Sequence, residues 1–146
     1  NQENGLRGGT ENIAGIVGMG LAAELAIKNQ AKCIAQLNLL EKHFLSNIRQ
    51  SFPFAKHNTK NNLPGLLSTS FPGYKSDILM AKLDRLNFAV SNGSACNAGI
   101  IKPSKVLKAI GLDDEINLST LRISFGKDNT IEEVDQFIKT LNDILN

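Results

Sequence analysis

One apolar periodicity constrains this chain more than anything else. From Ile13 onward, hydrophobic residues recur at helical spacing through Leu37, Leu40, Phe44 and Ile48, and the region ends at Pro53. Asn12 stands where a helix cap belongs. Gly15, Gly18, Ala22 and Ala26 lie three or four apart, so they share one narrow face. Each glycine costs about 1 kcal/mol against Ala in a helix, so close packing against that face is expected to compensate. A bend is expected near Asn29-Gln30, and Cys33 reads as a small buried apolar residue. The apolar stretch Ile13–Ile27 is broken by Glu24 and several glycines. It falls short of the roughly 20 residues that span a bilayer, and it has no basic leader or cleavage signature of a signal peptide.

Shorter elements follow. Residues 54–57 read as a short strand, 58–64 as a turn-rich connector and 66–71 as a strand stopped by Pro72-Gly73. Ser76 or Asp77 is expected to cap a helix through Ile78, Leu79, Leu83 and Leu86, and Phe88-Ala89-Val90 reads as a short apolar strand. Pro103 suits the first turn of another helix, with Val106, Leu107 and Ile110 on its buried side and Gly111 as its stop. Residues 121–125 alternate as a strand. Thr130-Ile131-Glu132-Glu133 has the form of a capping box, opening a helix with Ile131, Val134, Ile138, Leu141 and Leu145 on one stripe. The order predicts one α+β domain, with a small, largely antiparallel sheet covered by helices.

Composition narrows the functional classes. The 146 residues carry a net charge of +2, no Trp and one Tyr, which argues against a nucleic-acid surface or a base-stacking platform. Two distant cysteines, Cys33 and Cys96, make no disulfide framework, so a reducing, cytoplasmic setting is the default. No CxxC or HxxxH spacing occurs, so no metal site is expected. His43 and His57 read as paired surface residues, and Asp113-Asp114-Glu115 as a solvated loop or a helix start. The chain begins at Asn1, within a Gly-rich phrase and without Met, so it is expected to be a piece of a longer protein.

Three phrases carry candidate chemistry. Ser91-Asn92-Gly93-Ser94-Ala95-Cys96-Asn97-Ala98-Gly99 puts Cys96 among small and polar residues, unlike a core cysteine. The loop has about five residues on either side of the sulfur and would let it swing through roughly ten ångströms. Lys102, Lys105 and a helix start near Pro103 would favour the thiolate. The alternative is a plain exposed thiol. Gly5-Leu6-Arg7-Gly8-Gly9-Thr10 runs into a helix start, which suits either a phosphate or an ordinary Gly-rich turn; it is neither a P-loop nor GxGxxG. Arg122, in mid-strand, either grips a carboxylate with two prongs or is an exposed strand residue, and sequence alone favours the second.

Taken together, these phrases resemble one family. Gln2–Asn12 is similar to the segment that follows the cofactor lysine in cysteine desulfurases of the NifS/IscS type, Ser91–Cys96 to their active-site cysteine loop, and Leu121–Gly126 to their substrate-carboxylate strand. Leu63-Pro64 and Ser70–Gly73 fit as well, so the likeness runs almost end to end in order and spacing. The resemblance implies a pyridoxal 5'-phosphate enzyme of the aminotransferase-like fold (fold type I, class V). Such enzymes take sulfur from L-cysteine, release L-alanine and hold the sulfur as a cysteine persulfide for iron–sulfur cluster assembly or other transfer.

It further implies that Cys96 is the nucleophile, that Arg122 holds the substrate carboxylate, and that Thr10 reaches the cofactor phosphate of the partner subunit in a homodimer. Arg7 receives no role beyond shaping its turn. The loop around Cys96 looks like that of the mobile-arm subgroup. No Ser-x-His-Lys phrase occurs, so the Schiff-base lysine is expected upstream and the isolated fragment is expected to be inactive. The implied organisation is a phosphate-contacting loop and connecting helix over residues 1–30 and a C-terminal small domain over 31–146. L-cysteine and a sulfur-acceptor or scaffold protein are the implied partners, with neither nucleic acid nor membrane. A selenocysteine lyase, another class V enzyme and a non-catalytic sulfur-relay module are the rival readings.

Overall fold

The structure, a computed structural model, describes residues 3–93 and 102–145. Contacts divide the chain into two units, Asn1–Ile34 and Ala35–Asn146. A long helix, α1 (Ile13–Ser51), contributes to both. Its cap is the expected one: the Asn12 side-chain oxygen accepts from the Gly15 N–H at 3.0 Å. That cap also explains Gly15, where an added Cβ would meet the Asn12 amide nitrogen at 2.6 Å. In the first unit, a 3-10 turn over Glu3–Gly5 leads through an exposed loop into α1.

Two expectations about α1 change. Helical hydrogen bonding is unbroken through Asn29-Gln30, where the Asn29 amide donates back to the Leu25 carbonyl at 2.8 Å. Cys33 is half-buried rather than buried, because every other residue from 13 to 34 is exposed. The Gly15/Gly18 face shows no close packing among the described residues, and a Cβ at Gly18 would meet nothing within 4 Å. Among the described residues, no helix is long and apolar enough to cross a membrane.

The second unit is built on an antiparallel sheet in the order β1 (Lys56–His57), β2 (Leu66–Ser70), β3 (Thr120–Ser124). Register places Leu67 opposite Ile123 and Thr69 opposite Leu121, all buried; Leu66, Ser68 and Ser70 lie opposite Ser124, Arg122 and Thr120. The period of two sends the first set to the core face and the second to the other face. Against the core face pack Leu40, Phe44 and Ile48 of α1, Leu79 and Leu83 of α2 (Ser76–Arg85), and the stripe of α5 (Ile131–Leu145). The Phe44 ring stands edge-on to Phe125 at 5.8 Å and tilted against Phe137 at 6.1 Å, so one side chain ties α1 to the end of β3 and to α5. The α+β architecture is the one the sequence predicts.

Several local expectations do not hold. The N-cap of α2 is Lys75, without a side-chain cap bond, because Ser76 is already helical and buried. Phe88–Val90 forms no strand. Asn87 turns the chain at φ 65°, Phe88 packs its ring on Phe137 at 5.3 Å, and only Ser91 reaches the sheet, in a bridge to Arg122. Helix α3 (Lys105–Ala109) starts after its N-cap Ser104, which leaves Pro103 outside its first turn. Val106 and Ile110 are not buried; they remain 68% and 50% exposed, because the short α3 faces the non-core side of the sheet across a pocket. Gly111 does end α3, at φ 89°. Asp113 caps α4 (Asp114–Leu118), accepting from the Ile116 N–H at 2.8 Å, so the acidic cluster is a helix start. The capping box of α5 closes in both directions: Glu133 N–H donates to the Thr130 hydroxyl at 3.3 Å, and Thr130 N–H donates to the Glu133 carboxylate at 3.0 Å.

Candidate active site

Arg122 stands on the non-core face of β3. Alternation forces this: Leu121 and Ile123 point into the core, so the residue between them is exposed. Its guanidinium takes part in no ion pair among the described residues. Its backbone is fixed on both edges. β2 pairs on one side, and on the other Ser91 donates to the Arg122 carbonyl at 3.1 Å while Arg122 N–H donates to the Ser91 carbonyl at 2.6 Å.

Beside Arg122 opens a pocket of about 330 Å³. Its floor is Leu66, Ser68 and Thr120 of the sheet. Its walls are Leu63 of the connector and Val106, Leu107 and Ile110 of the α3 region, with Gly93 and Ser104 also lining it. An apolar-walled pocket with a guanidinium that makes no ion pair among the described residues suits a small anion-bearing ligand, since a guanidinium forms charge-assisted bonds to a carboxylate. The sequence reading missed the connector wall and the role of the α3 apolar residues. The signal was present in Val106 and Ile110, two large apolar residues on a helix too short to bury them.

Polar bonds hold these walls. Glu41 accepts from the Asn62 amide and from Gly65 N–H, both at 3.1 Å, and so fastens the connector to α1. The Asn58 amide donates to the Ser68 and Ser70 hydroxyls at 3.1 and 2.8 Å, and Ser70 and Thr120 share a hydroxyl pair at 2.7 Å across β2 and β3. On the far wall, Ser104 N–H donates to the Asn117 side-chain oxygen at 2.8 Å, and the Asn117 amide donates to the Ser104 carbonyl at 2.9 Å.

Cys96 lies outside the described residues, between two that line the pocket, Gly93 and Ser104. Lys102 and Lys105 are exposed, while Lys108 pairs with Asp114 at 2.8 Å. Thr10 belongs to the first unit, where it is exposed on its loop. The Arg7 guanidinium donates to the Gly8 and Thr10 carbonyls at 3.1 and 3.3 Å, and therefore shapes the turn. The exposed Thr10 hydroxyl fits a single contact to the phosphate of a cofactor; the lysine that would bond the cofactor has no counterpart phrase in this sequence.

Neither histidine lines the pocket, although His57 meets Thr59 of its rim. His43 pairs with Asp135 at 2.6 Å, as expected of a surface residue. His57 is not a surface residue: it is half-buried, with Nε2 3.4 Å from the Thr59 hydroxyl and Nδ1 without a partner among the described residues, and burial holds its imidazole below the ordinary value of 6.5.

The profile of the family described as aminotransferase class-V matches residues 1–137. The chain belongs to the class-V aminotransferase family. Within that family it is similar to a Clostridium botulinum protein named cysteine desulfurase IscS, at 37% identity over 99% of this chain and 37% of the relative. It is also similar to a Bacillus subtilis protein named putative cysteine desulfurase NifS, at 34% identity over 94% of this chain and 36% of the relative. Among solved structures, a NifS-like protein superposes with a TM-score of 0.83 at 34% identity, over 99% of this chain and 36% of that one. This class-V chain thus spans a little over a third of the length of the relatives it matches, and it has the fold of the corresponding part of NifS-like proteins.

Proposed function

We propose that this chain is the C-terminal small domain, with its connecting helix, of a pyridoxal-phosphate-dependent cysteine desulfurase that acts as a homodimer in a reducing, cytoplasmic setting. In this reading Arg122 grips the carboxylate of L-cysteine, Cys96 receives its sulfur, and Thr10 contacts the cofactor phosphate of the partner subunit. One observation carries it. Arg122, whose guanidinium makes no ion pair among the described residues, lines a pocket together with residues from both sides of the Cys96 segment, Gly93 and Ser104. Two residues, Ser94 and Ala95, separate Cys96 from Gly93, a span of at most about 11 Å of contour. The covalent tether alone therefore keeps the thiol within reach of a substrate held at Arg122.

The chemistry balances. The Cys96 thiolate attacks the substrate sulfur, an S–S bond forms, the substrate carbon–sulfur bond breaks, and that carbon keeps the electron pair and takes a proton. L-cysteine and a thiol become L-alanine and a persulfide. Pyridoxal phosphate, when bound, supplies the electron sink for the substrate. In this reading Arg122 aids the transfer by orienting the substrate through its fixed end, beside the apolar side chains of Leu63, Leu66 and Leu107. The persulfide then passes to a sulfur-acceptor or scaffold protein.

The test uses the full-length parent. Cys96→Ser is expected to abolish alanine and sulfide formation from L-cysteine while cofactor absorbance is retained. Desulfuration that survives the substitution overturns the reading. Selenocysteine turned over at an undiminished rate by Cys96→Ser, with cysteine not turned over by either form, assigns a selenocysteine lyase instead.

A further inference from the structure

We propose that Asn117 is a positioning residue for sulfur transfer: its side-chain amide clasps the backbone of Ser104 and so fixes the chain eight residues after Cys96. This inference rests on the role proposed above for Cys96.

The clasp uses both ends of the amide. Ser104 N–H donates to Oδ1 at 2.8 Å, and Nδ2 donates to the Ser104 carbonyl at 2.9 Å. Only one orientation of the amide satisfies both bonds, so its flip is determined by the contacts themselves. Asn117 and Ser104 are each buried, at 5% and 8% exposure, so water does not compete for these bonds. Asn is a poor choice inside a helix of five residues, where its side chain competes with the backbone. Packing gives no reason for it at this position; the clasp does.

Its placement gives the clasp a function. The segment between residues 91 and 104 is held by paired backbone bonds at both ends. At the first end, Ser91 exchanges two hydrogen bonds with Arg122 itself. At the second, Asn117 grips Ser104 from α4, three residues before β3 begins. Ser104 and Arg122 line one pocket. The carboxylate grip and both anchors of the thiol-bearing segment are therefore referenced to the same short stretch, residues 117–122. Shifting the Ser104 anchor moves the tether without touching Arg122.

The experiment compares full-length holoenzyme variants Asn117→Ala and Asn117→Asp with wild type. The aspartate keeps an acceptor for Ser104 N–H and loses the donor to its carbonyl. Both are expected to lower kcat for alanine formation, Asn117→Ala by about tenfold or more and Asn117→Asp by less. Affinity for L-alanine, read by titrating cofactor absorbance, is expected to stay unchanged, since Arg122 is intact. Amide exchange over residues 102–108 is expected to speed up, with β2 unchanged. Wild-type kcat in both variants overturns the inference, as does a kcat loss matched by an equal loss of L-alanine affinity. If Asn117→Ala does not fold, Asn117→Asp carries the same comparison. Cys96→Ser runs alongside: if it still desulfurates cysteine, the proposed function fails, and if it is inactive while the Asn117 variants turn over normally, only the clasp's role fails.

Discussion

Replacing Arg122 by Gln in the full-length parent tests the carboxylate grip with little risk to the fold. The side chain is exposed, and the backbone bonds to β2 and Ser91 do not involve it. Stability should therefore move by no more than about 0.5 kcal/mol. Substrate binding should change far more. A two-pronged guanidinium–carboxylate contact supplies two charge-assisted hydrogen bonds, each worth about 1.5–3 kcal/mol net. Gln offers a neutral donor in place of the fork, so the loss is about 3 kcal/mol, roughly a hundredfold in kcat/KM. The carboxylate is held equally in the ground and transition states, so most of the loss should appear in KM. Arg122→Lys keeps the charge without the fork and should fall between. The assay is steady-state alanine production against L-cysteine concentration, with thermal unfolding as the control. A kcat/KM within about threefold of wild type refutes the assignment of Arg122. So does a drop in unfolding temperature large enough to account for the loss, because an exposed side chain has no claim on the core.

Other consequences concern the scaffold. Gly65→Ala should destabilise by more than about 1 kcal/mol in denaturant unfolding, because Gly65 sits at φ 77° and a Cβ would meet Leu37 Cδ2 at 2.8 Å. Phe44→Ala empties a fully buried site between Phe125 and Phe137 and should cost about 3–5 kcal/mol. Hydrogen bonds from the Asn129 side chain and from Thr130 N–H hold the Glu133 carboxyl below its ordinary 4.5. The folded value is the depressed one, so this stabilisation is complete above 4.5 and lost as pH falls through the folded value. Unfolding temperature measured across that window should flatten in Glu133→Gln, and an unchanged pH slope contradicts the capping role.

Legibility in the sequence followed the range of the interactions. Asn12, Asp113 and the Thr130–Glu133 box are local, closed within three residues, and all appear in the structure as caps. The stripe of α5 was readable because one helix repeats one pattern over 15 residues. Phe88–Val90 misled because an apolar run satisfies both strand and packing templates; a left-handed Asn87 and the Phe137 ring decided between them. Val106 and Ile110 misled because hydrophobicity does not say which face of a sheet a helix covers. The exposed place of Arg122 on β3 was readable from strand alternation, while its proposed role came from the family resemblance alone. The Asn117 clasp was not, because it joins residues 13 positions apart through one amide and leaves no periodic trace.

Under the proposed function, the same stretch of chain would serve two demands that a sulfur-transfer site places on its scaffold. A substrate grip must be rigid, because orientation is its contribution. A thiol that collects sulfur and then gives it up must be tethered without being held. Residues 117–122 would answer the first demand directly, with Arg122 on a strand paired on both edges. For the second they would hold residues on either side of Cys96 in the sequence: Ser91 on the Arg122 backbone and Ser104 in the Asn117 amide. A substitution at either anchor should therefore disturb transfer while leaving the grip intact, and a substitution of the Arg122 side chain should do the reverse. A double variant, Arg122→Gln with Asn117→Ala, should then show losses that multiply, since one acts on binding and the other on transfer. A combined loss no larger than the greater single one would mean that grip and anchor act as one unit, and that this division of labour does not exist.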